Sequence, residues 1–264
     1  MKEKIISYLT AECPWRDTLY WYPQLDSTNT QAKLLAKQGA PEGTVLIAGN
    51  QTAGRGRMGR SFQSPDGLGV YLSVILRPNC PPTELMHLTC AAGAAMARAV
   101  EQVCGFRPQV KWINDLVASG RKLGGILTEM SLAGGLVEYA VVGIGINCLQ
   151  QSKDFSPEVA QIATSLTQIT GRNILPQQLA AAMTEQLWQM RQTLFTEKAR
   201  WMAEYKENCI TLGKEIQVIQ GDAVRPGTAL DMDANGGLWV RYTDGSTQVV
   251  SSGEVSVRGM YGYV

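Results

Sequence analysis

The chain has 264 residues, of which 45% are hydrophobic and 18% charged, with a formal net charge of +1. That length and balance suit one large folded domain plus a small one, and they exclude a disordered chain and a globally basic nucleic-acid binder. No apolar run reaches the roughly 18–20 residues of a membrane span, and the charged N-terminus does not suit a signal peptide, so a cytoplasmic protein with no membrane partner is expected.

Taken in chain order, residues 1–12 read as a short helix. Ser27 or Thr28 can cap a helix running to Lys37, with Gly39 closing it. Thr44 to Gly49 is β-rich, and residues 52–67 form a long polar loop, a length that points to function. Gly69 to Arg77 reads as a buried strand. Thr83 to Val103 is an alanine-rich helix that Gly105 ends. Val110 to Ile113 is a short strand, with Lys111 and Ile113 on one face and Trp112 on the other. Lys122 to Met130 and Val137 to Cys148 are strands paired through Ala133-Gly134-Gly135. Helices are expected over roughly 158–169 and 177–208. After Cys209 come short β-rich runs at 214–220, 224–231, 237–242, 246–250 and 254–258, separated by Gly- and Asp-containing turns, as in a small barrel. The expected domains are therefore 1–210 and 211–264.

Cys13, Cys80, Cys90, Cys104, Cys148 and Cys209 make no C-x-x-C pair and are read as reduced, mostly buried thiols. The one histidine, His87, falls in a helix and is read as structural, so no metal site is expected. The sharpest motif is Gly54-Arg55-Gly56-Arg57-Met58-Gly59-Arg60. Its guanidinium groups repel one another without an anionic partner, and its glycines let backbone N–H groups approach an anion. It also fits G-x-G-x-x-G, but Ser64-Pro65-Asp66-Gly67 follows instead of a helix, which rules out a dinucleotide fingerprint, and no Gly-Lys-Ser/Thr completes a P-loop. Two further clusters are Lys111-Trp112-Ile113-Asn114-Asp115-Leu116 and Arg121-Lys122-Leu123-Gly124-Gly125-Ile126-Leu127. In Gly143-Ile144-Gly145-Ile146-Asn147 the alternate glycines leave one strand face bare, either as a slot for a thin ligand or for close packing.

Together with Asp26-Ser27-Thr28-Asn29 and Gln51-Thr52-Ala53, these motifs resemble biotin–protein ligases, in the family's order and spacing over about residues 20–150. Ser252 to Arg258 extends the resemblance into the last β-rich runs. The resemblance implies an α+β fold: a mixed β-sheet with helices on one face, then a small barrel of the Src-homology-3 type. It implies activation of biotin with ATP and Mg²⁺ as biotinyl-adenylate, then transfer to a lysine of a biotin carboxyl carrier protein. Ser27, Thr28, Asn29, Gln51, Gly54, Arg55, Gly56, Arg57, Lys122, Gly125 and Gly143 would bind biotin. Arg57, Arg60, Lys111, Asn114, Lys122, Asn147 and Arg258 would bind ATP, and Lys122, Arg57, Lys111 and Asp115 would serve the chemistry. Ile113 departs from a proline common in the family, and Met58 from an often-charged position. The Asp-Ser-Thr-Asn motif begins at residue 26, too early for a preceding helix-turn-helix domain, so no DNA role is expected of this monomer or homodimer. A lipoate–protein ligase and a non-catalytic biotin-binding regulator are the rival readings.

Overall fold

Backbone pairing gathers the strands into two sheets. The computed structural model describes residues 1–251 and the backbone of 255–259. The first sheet contains β1 (Leu19–Leu25), β2 (Val45–Gln51), β3 (Gly69–Leu76), β4 (Gln109–Lys111), β5 (Asp115–Ala118), β6 (Arg121–Ala133) and β7 (Leu136–Asn147). Its order is β1-β2-β3-β7-β6-β5-β4. β1 and β2 run parallel and the other neighbours antiparallel. β3 is buried along its whole length, as a central strand covered on both faces must be.

The two faces carry different helices. Val74, Leu76, Val142 and Ile144 join the main core with helices α3 (Leu88–Cys104), α6 (Pro176–Thr193) and α7 (Lys198–Glu207). On the other face Leu46, Ile75, Tyr139 and Val141 pack against Ala32 and Ala36 of helix α2 (Thr28–Lys37). The sheet thus has its main helical layer on one face, with α2 adding cover on the other. Ser27 caps α2 by accepting from the Thr30 N–H, and Gly39 and Gly105 leave α2 and α3 at φ +88° and +74°.

The second sheet contains β8 (Glu215–Gln220), β9 (Ala223–Met232), β10 (Leu238–Tyr242), β11 (Thr247–Val250) and β12 (Val255–Gly259), in the order β11-β10-β9-β8-β12 and antiparallel throughout. Leu238, Val240 and Tyr242 point inward while Trp239 and Arg241 point out. Its buried residues Ile216, Val218, Ala229, Met232, Leu238 and Val240 belong to the same apolar cluster as α3 and β3.

Several elements differ from their expected form. The first helix, α1, is only Lys2–Ile6. The segment expected to be one helix over 158–169 breaks into α4 (Pro157–Ala160) and α5 (Leu166–Thr170), because the residues between them bridge to Lys122. The 177–208 helix splits into α6 and α7. β4 stops at Lys111, and residues 112–114 turn into β5, so Ile113 does not continue the strand beside Lys111.

Candidate active site

Beyond the N-terminus of α2, β6 and β7 bring glycines side by side in the sheet. Gly125 pairs with Gly145 and Leu127 with Gly143. Across β7, Ser73 pairs with Gly143 and Tyr71 with Gly145. Over this patch lies a cavity of about 320 Å³. Ser27, Thr28, Asn29, Gln51, Arg55, Gly56, Arg57, Arg60, Lys111, Asn114, Asp115, Lys122, Gly125 and Gly143 all line it. These lie far apart in sequence, and the sheet brings them to one place.

One end of the cavity is uncharged and tightly hydrogen-bonded. The Gln51 Oε1 accepts from the Thr28 N–H at 2.8 Å and lies 3.1 Å from the Thr28 hydroxyl, while Gln51 Nε2 donates to Ser64 Oγ at 2.9 Å. Asn29 Nδ2 donates to the Leu127 carbonyl at 3.2 Å and to Glu129 Oε2 at 2.9 Å. Its Oδ1 sits 2.7 Å from Ser73 Oγ, a hydroxyl buried in an otherwise apolar strand. A methyl group on Gly143 would fall 1.7 Å from Asn29 Oδ1, and one on Gly145 would fall 2.5 Å from the Phe62 ring. The alternate glycines therefore serve close packing: they seat Asn29 and Phe62, and these two side chains, not a bare strand, face the cavity.

The other end is charged. Lys122 Nζ pairs with Asp115 Oδ1 at 2.7 Å, and Arg57 Nη1 donates to Asn114 Oδ1 at 3.3 Å. Asn114 is itself locked, since Nδ2 donates to the Ile126 carbonyl at 3.1 Å and its own carbonyl accepts from the Ile126 N–H at 2.8 Å. Lys111 is buried. Lys122 is clamped at the backbone, its N–H donating to Ile162 O at 2.7 Å and its carbonyl accepting from Thr164 N–H at 2.8 Å. Burial pulls the Arg57 guanidinium down from its ordinary value; Asp115 opposes this and Arg60 adds to it.

The arginine-glycine loop folds over the cavity. It closes on itself through Phe62 N–H to Gly54 O at 2.9 Å and Gly56 N–H to Arg60 O at 2.7 Å. Gly54 backs the loop outside the cavity lining, where a methyl would fall 2.3 Å from Phe62 O. Phe62 gives the loop an apolar anchor, meeting Tyr71 edge-on at a centroid distance of 6.4 Å. Asn147 lies off the cavity, since its amide donates to Thr164 O at 2.9 Å and accepts from Gln150 Nε2 at 3.3 Å. The Arg258 side chain lies outside the described residues; its backbone position pairs with Gln217. The sequence reading missed Phe62, Ile162 and Ser73. Only Ser73 had a visible signal, the one small hydroxyl side chain among the apolar residues of Gly69 to Leu76.

His87 is buried with Nε2 2.9 Å from Leu194 O, a structural position, and the six cysteines are buried and unpaired. Among the described residues no cluster of metal-ligating side chains occurs, and no helix is long and apolar enough to cross a membrane.

A mixed sheet carries this loop-covered cavity, and the chain matches the biotin/lipoate A/B protein ligase family over residues 21–147. The biotin protein ligase C-terminal domain matches residues 211–258. The chain is 32% identical to the biotin–[acetyl-CoA-carboxylase] ligase of Mycobacterium tuberculosis, over 88% of this chain and 86% of that protein. It is 44% identical to the bifunctional ligase/repressor BirA of Bacillus subtilis, over 59% of this chain and 48% of that protein. The match thus spans about half the length of this Bacillus relative. The biotin protein ligase of Aquifex aeolicus, solved with biotin and ATP, superposes with a TM-score of 0.77 at 27% identity, covering 91% of this chain and 98% of that one. The chain belongs to the biotin protein ligase family.

Proposed function

We propose that the protein activates biotin with ATP to give biotinyl-5'-AMP and pyrophosphate, then transfers the biotinyl group to a lysine of a biotin carboxyl carrier protein. The observation that carries this reading is the polarity of the cavity, with its amide and hydroxyl network at one end and its cations at the other. The cyclic urea of biotin carries N–H donors and a carbonyl acceptor, which suit Ser27, Thr28, Asn29 and Gln51. The dithiolane of lipoate offers these groups neither a donor nor a strong acceptor, which disfavours it. This places the biotin carboxylate toward Arg57 and Lys122, with Arg55, Gly56, Gly125 and Gly143 along the length of the ligand.

Attack of the carboxylate oxygen on the α-phosphorus forms the acyl–phosphate bond as the bond to pyrophosphate breaks. Negative charge accumulates on the phosphoryl oxygens and on the leaving group. Lys122, held by Asp115 and by its backbone clamp, offsets that charge without having to be reoriented. Lys111, Asn114 and Arg60 take the nucleotide side, with Arg258 as a further phosphate contact. ATP enters as its Mg²⁺ complex: the ion would ride on the phosphates, the usual mode of magnesium in nucleotide sites, with Asp115 as the carboxylate within the cavity. The loop over the cavity keeps water from the mixed anhydride. The acceptor amine then attacks the acyl carbon and AMP leaves, with Asp115 or the phosphate positioned to take the amine proton. With free, buried thiols throughout the described chain, we place this activity in the cytoplasm.

The test is ATP–pyrophosphate exchange with either biotin or lipoate supplied, followed by labelling of a carrier domain. Biotin should support exchange and yield an acid-stable adduct on the carrier lysine. Exchange with lipoate and none with biotin would reassign the substrate. Tight biotin binding without exchange would make the protein a non-catalytic regulator.

A further inference from the structure

Glu129 lies outside the cavity lining, yet it touches two of the residues that form it. It stands on β6 opposite Val141, on the same face as Leu127 and Gly125. Its carboxylate accepts from Asn29 Nδ2 at 2.9 Å and Lys33 Nζ at 2.7 Å, and lies 3.5 Å from Arg55 Nη1. Its side chain is only 22% exposed. Burial alone would raise its carboxyl, but the bonds from Lys33 and Asn29, with the charges of Lys33 and Arg55, hold it below the usual carboxylate range.

The hydrogen-bond directions give these contacts their meaning. A carboxylate only accepts, and so does the Leu127 carbonyl, so both Asn29 N–H bonds must face β6. Asn29 Oδ1 is then turned to Ser73, whose single proton must go to it. Ser73 Oγ is left to accept from Thr28, 2.8 Å away, or Thr28 donates to Gln51. Glu129 and the Leu127 carbonyl together thereby set the sense of the Asn29–Ser73 bond beside the uncharged wall of the cavity. Its other oxygen reaches Arg55, at the entrance of the arginine-glycine loop, the element that must cover the ligand.

We propose that Glu129 is a positioning residue for biotin: its carboxylate orients Asn29 and tethers Arg55, setting the pocket wall and the loop before the ligand arrives. Only the identity of the ligand rests on the biotin reading above. The contacts belong to the ligand-free chain, so their effect can be read without catalysis. In Glu129→Gln the shape is kept and the charge removed. Tryptic cleavage after Arg55, Arg57 and Arg60 in the ligand-free protein should speed up by about two- to fivefold, the scale of a half-exposed ion pair. The KM for biotin should rise by about tenfold, with kcat within about twofold of the unmodified chain, as for loss of uniform binding. Glu129→Asp keeps the charge and should fall between the two. A folded Glu129→Gln with either cleavage or KM unchanged overturns the proposal. If that variant does not fold, Glu129→Asp decides by the same two readouts. Biotin-dependent exchange by the unmodified chain is the control: if it fails, the biotin reading fails, while loop cleavage still decides the tether.

Discussion

At the scale of single residues, a cation beside an acid has a divided role. Lys122 is 2.7 Å from Asp115 and about a quarter exposed, so its charge is partly neutralised until an anion arrives. The pairing keeps the ammonium pointed into the cavity at little cost, and the anion then competes with Asp115 for it. A group whose contribution grows as charge develops on the phosphate should matter more to the step than to binding. Lys122→Ala is therefore expected to slow single-turnover adenylate formation by about 10²–10³, the scale of one lost transition-state donor, while ATP affinity changes by less than about tenfold. Rapid-quench measurement of adenylate beside equilibrium ATP binding checks this, and unchanged single-turnover adenylation would remove Lys122 from the chemistry. The sequence exposed Lys122 and Arg57 because cations in glycine-rich surroundings stand out from an otherwise balanced composition, and Lys111 through the Lys-Trp-Ile-Asn-Asp run. It hid Glu129, which looks like an ordinary polar position on an alternating strand, because its role comes from Asn29 and Lys33, about 100 residues away along the chain.

At the scale of elements, most strands were legible where the apolar pattern was long enough to read, but β1 was missed, since its burial follows no period and Pro23 interrupts it. β3, β6, β7 and the short strands of the second sheet lie within a few residues of their expected bounds. β5 was missed because four residues are too few to show a period, and its pairing with β4 and β6 is what identifies it as a strand. The break between Pro157–Ala160 and Leu166–Thr170 comes from a distant demand, the bonds that Ile162 and Thr164 make to Lys122. The glycines of β7 were legible as a bare face, but not the side chains that occupy it. That occupancy makes Gly143 a sharp test. A methyl there collides with Asn29 Oδ1, so Asn29 must leave its rotamer and its bonds to Ser73, Leu127 and Glu129. Gly143→Ala should raise the KM for biotin by about 10–100-fold, as expected for losing about 1.5–3 kcal/mol of charge-assisted bonding. A Gly143→Ala protein with an unchanged biotin KM would show that Asn29 does not shape the pocket.

At the scale of the whole molecule, the two sheets share one apolar cluster, and the route between them passes the cavity. Trp112, which lines the cavity, donates from Nε1 to Gly236 O at 2.9 Å, in the turn between β9 and β10. Its backbone N–H donates to Thr211 Oγ1 at 2.9 Å, and Lys206 of α7 pairs with Asp231 of β9 at 2.7 Å. Buried residues of β8, β9 and β10 are continuous with the core of the first sheet, so separating the sheets would expose apolar surface on both. Surface of that kind should make the chain unfold as one unit. Gly236 is the residue to strain. Its φ is +87°, which side chains rarely adopt, and a methyl there would fall 2.9 Å from the sulfur of the buried Cys90. Gly236→Ala should destabilise by about 1–3 kcal/mol, combining an overpacked contact with the left-handed backbone. Because unfolding is shared, that loss should appear as a lower midpoint of one transition, with far-ultraviolet circular dichroism and tryptophan fluorescence moving together. The shift should also reach the nucleotide end of the cavity through Trp112, raising the KM for ATP more than that for biotin. Calorimetry and the two spectroscopic melts, run on the unmodified chain and on Gly236→Ala, are the measurement. Two separated transitions, with the substitution moving only one of them, would show that the small sheet unfolds independently and that Trp112 does not couple it to the site.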